Sequence, residues 1–260
     1  MTDEDHGGMR QSAVLVVPCY NEGQRLQPEH FLRLVRDDAE LSLLFVNDGS
    51  TDDTLTRLEG LAEQLPERIE VESLDRNRGK AEAVRRGLQQ ALSKGPTIVG
   101  YLDADLATPP SEVERLLNAL RSRNVDVVLG ARVCLLGRSI ERSMLRHYLG
   151  RVFASAASLA LGLRVYDTQC GAKLFRTTLA LRAALDEPFL SRWAFDVELL
   201  GRMLVGSDQV PGMPPDRVVE EPLLAWRDVP GSKLRGGSAV GAAVDLVRIA
   251  RDLGRRNSTG

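Results

Sequence analysis

Across residues 13–130, short apolar runs alternate five times with segments whose apolar residues recur every three or four positions, and few folds accept that pattern. The runs are 13–17, 41–46, 69–74, 97–102 and 125–130. Most are apolar on successive residues, as strands covered on both faces must be. Each long segment between them has one apolar side: Phe31, Leu32, Leu34 and Val35; then Ala81, Val84, Leu88 and Leu92; then Val113, Leu116, Leu117 and Leu120. Strand, helix and strand in succession close through right-handed crossovers, so the expected fold is α/β, a mainly parallel twisted sheet with helices on both faces. Ser50 or Thr51 is placed to cap the second helix, and Ser111 and Glu114 have capping-box spacing at the fourth. With 260 residues and no low-complexity break, one domain over residues 12–255 is the simplest division. Within it, 12–130 and 131–255 form two halves, and 1–11 and 256–260 are expected to be flexible tails.

In a sheet of this kind ligands gather beyond the carboxyl ends of the strands. Polar clusters stand at four of those ends: Asn21 and Glu22, then Asp48, then the stretch Asn77-Arg-Gly-Lys80, then Asp103 and Asp105. Each has a plain alternative, since Asp48 forms turns, Lys80 suits a solvated helix start and Glu22 a first turn. Together they put acids, amides and one ammonium on one rim. The stretch Gly100-Tyr-Leu-Asp-Ala-Asp-Leu-Ala-Thr-Pro-Pro110 is central. Residues two apart in extended chain point the same way, so Asp103 and Asp105 can face one ion or a pair of phosphates. Their hard oxygens favour magnesium (Mg2+) or manganese (Mn2+). A nucleotide bearing a diphosphate suits such a rim.

The second half is more basic. Arg132, Arg138, Arg142, Arg146, Arg151 and Arg164 are broken only by Glu141, and a helical pattern runs from about 140 to 163. An ordinary core helix explains the pattern; so does a surface for phosphate or anionic headgroups. Asp196 and Glu198 open a later helix two residues apart, which turns them to different sides. The last helix has an apolar stripe (Val240, Val244, Val247) and a basic one (Arg248, Arg251, Arg255).

Composition excludes other classes. A net charge of -2 and an aromatic content of 5% give no footprint for nucleic acid. The scattered Cys19, Cys134 and Cys170 form no metal or redox motif and fit a reducing, cytoplasmic compartment. No stretch has the length of a spanning helix, and the first residues do not have a secretory pattern.

Val-Val-Pro-Cys-Tyr-Asn-Glu22, Val-Asn-Asp-Gly-Ser-Thr-Asp52, Asn77-Arg-Gly-Lys80 and Asp103-Ala-Asp105 resemble, in order and spacing, the nucleotide-sugar half of the family 2 glycosyltransferases of glycosyltransferase-A fold. Gly130-Ala-Arg132, Asp167-Thr-Gln-Cys-Gly-Ala-Lys-Leu-Phe175, Arg192-Trp-Ala-Phe-Asp-Val-Glu-Leu-Leu200 and Gly231-Ser-Lys-Leu234 look like the polyprenyl-phosphate hexosyltransferases, most closely the dolichyl-phosphate β-glucosyltransferases. The resemblance implies UDP-glucose as donor, a polyprenyl phosphate as acceptor, peripheral association with a membrane and inversion at the anomeric carbon. It implies that Pro18, Asn21, Glu22 and Asp48 hold base and ribose. It further implies that Tyr20, Asn77, Gly79, Lys80 and Ala104 join the donor site and that Asp103 and Asp105 bind the metal. Arg132, with Arg142 or Arg146, would receive the acceptor phosphate. Ala107 stands where the mannosyl branch often has a Gln ligand, which favours the glucosyl branch.

A phosphate monoester is largely dianionic at neutral pH and needs guidance by arginine more than a base. An alcohol acceptor needs a base, for which Asp196 is the first candidate and Glu198 the second. GDP-mannose as donor, a soluble hydroxyl acceptor, and a nucleotide-sugar binding protein without turnover are the competing expectations.

Overall fold

The structure is a computed structural model and describes residues 11–133, 136–137, 139–141, 144–229 and 239–259. Its first half follows the alternation in order: β1 (Ala13–Cys19), α1 (Pro28–Asp37), β2 (Leu41–Asn47), α2 (Thr54–Ala62), β3 (Ile69–Ser73), α3 (Lys80–Ser93), β4 (Ile98–Leu102), α4 (Pro110–Ser122) and β5 (Val127–Ala131). The second half holds β6 (Ser139–Glu141), α5 (Met144–Leu161), β7 (Ala172–Arg176), α6 (Leu179–Asp186), α7 (Phe195–Val205), β8 (Gly206–Ser207) and β9 (Val210–Pro211). It ends with β10 (Val218–Pro222), β11 (Ala225–Arg227) and α8 (Ala239–Thr259).

Seven strands form one sheet in the order β10, β5, β7, β4, β1, β2, β3. All run parallel except β7, which enters between β4 and β5 antiparallel to both. Along β1, Leu15 and Val17 face the layer of α1, α2 and α4, while Val16 faces that of α3, α6 and α7. Side chains on both faces are buried, which is why these runs lack a polar phase. Each fully buried leucine or phenylalanine, such as Phe31, Leu58 or Leu88, contributes about 1.5–3 kcal/mol. A third, smaller core joins α5, α7 and α8 through Ala157, Val197, Leu246, Ile249 and Leu253.

Several local expectations are corrected. α4 starts at Pro110 behind Pro109 with no side-chain cap, so Ser111 and Glu114 form no capping box. Proline at the first helical position has its φ preset and no N–H to satisfy, and so sets the start itself. Neither Ser50 nor Thr51 caps α2, which begins at Thr54. Ser50 Oγ accepts from the Asn21 N–H at 2.9 Å, and the Thr51 N–H donates to Asn21 Oδ1 at 2.8 Å. The chain divides after Pro222: β10 closes one edge of the main sheet, and β11 pairs with β6 in a small second sheet. α8 runs beyond residue 255 to Thr259. No described helix is long and apolar enough to cross a membrane.

Candidate active site

The loops after β1 and β2 are laced together at the carboxyl end of the sheet. Asn21 has φ +50°, a left-handed conformation that its short amide tolerates. It is held there by Ser50 and Thr51. The Glu22 N–H donates to Thr54 Oγ1 at 2.7 Å, and the Glu22 carboxylate accepts from Arg25 at 2.6 Å. Pro18 and Tyr20 lie half-buried beside them. Asp48 is buried and accepts from the Arg78 N–H at 2.6 Å and the Gly79 N–H at 2.8 Å. Burial raises its pKa against those two N–H groups. Asp48 thereby fixes the loop that carries Asn77, Gly79 and Lys80. Gly79 has φ +94°, and a Cβ there would stand 2.8 Å from Arg192 Nε, so Arg192 lies against this loop.

β4 ends at Leu102, and Asp103 and Asp105 lie in the turn that follows rather than in extended chain. The pair converges by a route other than strand alternation. The Asp103 N–H donates to Gly171 O at 3.0 Å, Leu106 takes φ +51°, and Asp105 Oδ1 accepts from the Ala107 N–H at 3.1 Å. Ala104 is buried between the two acids. Burial raises the Asp105 pKa and the Asp103 charge raises it further, the mark of two carboxylates close together. Lys80 Nζ stands 2.5 Å from Asp103 Oδ1. Crowding lowers the lysine's proton affinity, but Asp103, Asp196 and Asp105 outweigh it and the pKa rises. Gly171 lets the Asp103 carboxylate lie against the backbone, since a Cβ on it would meet Asp103 Oδ2 at 2.0 Å and push that side chain aside. Two adjacent hard oxygen donors that repel one another fit a divalent cation. Among the described residues no group of three acidic, His or Cys side chains converges on such a site.

Beneath this turn, Tyr101 of β4 lies opposite Lys173 of β7. The Tyr101 hydroxyl donates to Asp196 Oδ1, and Lys173 Nζ stands 2.9 Å from the same oxygen. Lys173 also donates to Cys170 O at 2.5 Å. Burial drives the two ionisable groups toward neutrality: Asp196 is raised to about 7 and Lys173 lowered to about 7. Lys173 Nζ lies 5.2 Å and Lys80 Nζ 6.0 Å from the centroid of the Tyr101 ring. Glu198 points elsewhere, as the spacing predicts. It accepts from the Leu190 and Ser191 N–H groups and pairs with Arg202 at 2.5 Å, which shapes the entry to α7.

Arg132 follows β5 and is held by Asp167 through two bonds, Nε to Oδ2 at 2.6 Å and Nη2 to Oδ1 at 2.8 Å. Burial alone would raise Asp167; the guanidinium overrides it and holds the carboxyl at about 2. The Arg132 guanidinium also covers Trp226, 5.2 Å from the ring centroid. Glu220 accepts from the Tyr166 and Asp167 N–H groups at 2.7 and 2.8 Å and so fixes the loop that presents Asp167. Arg142 and the stretch Gly231-Ser-Lys-Leu234 lie outside the described residues. Arg146 falls in α5, with its side chain outside the described part.

Tyr101, Asp167, Gly171, Lys173 and Arg192 escape the sequence argument as site residues. A lysine inside the apolar run Ala172-Lys-Leu-Phe-Arg176 is a usable signal, because charge in a buried strand demands a partner. The partner, 23 residues on in α7, is visible only in the fold.

The family model described as glycosyl transferase family 2 matches residues 14–181. A dolichyl-phosphate beta-glucosyltransferase of Trichomonas vaginalis is 33% identical over 248 residues, covering 90% of this chain and 69% of that protein. The Saccharomyces cerevisiae enzyme of the same name is 30% identical over 92% of this chain and 72% of its own. Among solved structures, glucosyl-3-phosphoglycerate synthase from Mycobacterium tuberculosis in complex with UDP superposes with a TM-score of 0.65 at 21% identity, covering 93% and 81% of the two chains. Another structure of that synthase, with Mn2+, UDP-glucose and phosphoglyceric acid, gives a TM-score of 0.64 at 21% identity and covers 93% and 80%. These two likenesses concern the fold, which is that of the glycosyltransferase-A proteins. The sequence matches go further: this chain belongs to glycosyl transferase family 2 and is a hexosyltransferase.

Proposed function

We propose that the protein transfers glucose from UDP-glucose to the phosphate of a polyprenyl lipid, with inversion at the anomeric carbon and with magnesium or manganese held by Asp103 and Asp105. The observation that carries this reading is the close pair Asp103 and Asp105 with Lys80 against it, on the rim shared with Asn21, Glu22 and Asp48. A cation there would complete its shell from the diphosphate and water, and when bound it supplies charge neutralisation to the leaving group. Lys80 adds a second positive charge at the same place. An acceptor phosphate oxygen bonds to the anomeric carbon as the bond from that carbon to the diphosphate breaks, and UDP departs with the electron pair.

No proton need be removed from a dianionic phosphate. This suits a site whose candidate base, Asp196, is engaged by Tyr101 and Lys173. Asp196 acts instead as a positioning residue under the Asp103 turn. Asp167 occupies Nε and Nη2 of Arg132, and Nη1 is the donor through which Arg132 reaches a phosphate. The dolichyl-phosphate beta-glucosyltransferase names of the sequence relatives support lipid phosphate as the acceptor class.

The test is nucleotide release from UDP-glucose, with GDP-mannose alongside, in detergent with a short polyprenyl phosphate. UDP release that requires both the cation and the lipid phosphate is expected. Metal-dependent UDP binding with no release on addition of lipid phosphate would refute the acceptor, and release from GDP-mannose alone would refute the donor.

A further inference from the structure

Residues 190–194, the approach to α7, are fastened on three sides. The Glu198 carboxylate accepts from the Leu190 N–H at 2.9 Å and the Ser191 N–H at 3.2 Å, and is itself held by Arg202. Ser191 is buried; its Oγ accepts from the Trp193 and Ala194 N–H groups at 3.2 and 2.8 Å and donates to Asp245 of α8 at 2.7 Å. The Trp193 ring packs edge-on against Phe153 of α5, with centroids 5.1 Å apart. The side chain that these anchors leave over is Arg192. It is exposed, and among the described residues it makes no hydrogen bond and no ion pair.

Its guanidinium rests instead against the donor loop. A Cβ on Gly79 would stand 2.8 Å from Arg192 Nε, 2.9 Å from Nη2 and 3.2 Å from Cζ. Nε and Nη2 form the fork that grips a carboxylate or a phosphate through two parallel bonds, and here they border the space that the absent side chain leaves. The nearest acid is already engaged: Asp48 gives its oxygens to the Arg78 and Gly79 N–H groups, and Arg192 acts on it only through charge, opposing the burial that raises its pKa. An exposed arginine is ordinary on a protein surface. This one is held against a loop whose next residue, Lys80, stands 2.5 Å from Asp103.

The charges on the rim ask for a further cation. Asp103 and Asp105 cancel a divalent ion, which leaves Lys80 alone against the diphosphate of a nucleotide sugar. That diphosphate gains another negative charge as its bond to the anomeric carbon breaks. We propose that Arg192 is a donor-binding residue whose guanidinium grips the diphosphate of the nucleotide sugar across Gly79. The assignment rests on a nucleotide-sugar donor at this rim. It puts one residue from the second half of the chain on a substrate otherwise held by the first.

The experiment is calorimetric titration of the full chain with UDP in the presence of manganese, beside uridine binding read by saturation-transfer NMR, for wild type, Arg192→Gln and Arg192→Lys. Arg192→Gln should weaken UDP on the order of ten- to a hundredfold, the worth of a charge-assisted contact to phosphate, and leave uridine unchanged. Arg192→Lys should recover only part of that loss, because an ammonium lacks the fork. The side chain is exposed and unpaired, so urea midpoints should match wild type in both variants. An Arg192→Gln chain that binds UDP like wild type overturns the proposal. So does an equal loss for UDP and uridine, which would make Arg192 a support for Asp48 and its loop. A wild-type chain that binds no UDP overturns the nucleotide-sugar reading and this assignment with it, whereas tight UDP binding that Arg192→Gln leaves intact sinks the assignment alone.

Discussion

Replacing Asp167 by Asn keeps the side chain's shape and removes the charge that faces Arg132. The pair is well shielded, with side-chain exposures of 8% and 14%, so solvent screens little of it. The fall of the Asp167 pKa from an ordinary 3.8 to about 2, at about 1.36 kcal/mol per tenfold change in proton affinity, corresponds to roughly 2 kcal/mol. Leaving a guanidinium buried without its counter-charge can add to this, toward the roughly 3–5 kcal/mol typical of one-sided removal from a buried pair. Because the folded pKa lies below the unfolded one, this stabilisation is complete above about pH 4 and is lost as pH falls through about 2. Urea unfolding followed by circular dichroism should therefore place the variant at least about 2 kcal/mol below wild type near pH 7, with the gap closing as pH approaches about 2. Equal stabilities near neutrality would refute the reasoning, as would a gap that does not change with acid. In the transfer assay the variant should lose acceptor affinity more than donor affinity, because Arg132 loses its fixed direction.

Three further outcomes can be checked. Asp105→Ala should abolish metal-dependent transfer and metal-dependent UDP binding while leaving the far-ultraviolet circular dichroism unchanged; full activity would remove Asp105 from the ion site. Gly171→Ala places a methyl group 2.0 Å from Asp103 Oδ2, so UDP binding measured by calorimetry should lose its dependence on manganese, and an unchanged affinity would show that the Asp103 turn yields easily. Asp196 is raised by burial to about 7, so its protonated form favours folding, and that advantage disappears as pH climbs through about 7. Asp196→Asn should then gain stability relative to wild type as pH rises from about 4 to about 7, and urea midpoints that run parallel across that range would contradict it.

The first half of the fold was legible because its signals are local. Continuous apolar runs, one-sided helices and polar strand ends each lie within a few residues, and the order β1 to β5 follows from them. The misplaced caps have the opposite cause: Pro109 and Pro110 start α4 regardless of Ser111, and Ser50 and Thr51 serve Asn21, which lies 29 and 30 positions earlier in the chain. The pairings that shape the site are longer still. Arg132 finds Asp167 35 residues on, and Tyr101 finds Asp196 95 residues on. Sequence patterns announced that Asp196 and Glu198 diverge, but only the packing of α7 over β4 decides which of them turns inward.

The reversed strand β7 has a consequence for assembly. β5 has only β7 and β10 as neighbours, so residues 127–131 have no sheet to join until residues 172–176 have been made. During synthesis the nucleotide half can set down β1 to β4, yet the open flank of β4 must wait about 70 residues for its partner; at ribosomal rates of about 5–20 residues per second this is several seconds. A fragment cut near residue 130 would keep every donor-side motif and still present that flank, a flat apolar template for pairing with another copy. Separating the two halves by truncation should therefore yield aggregates rather than a small nucleotide-binding module.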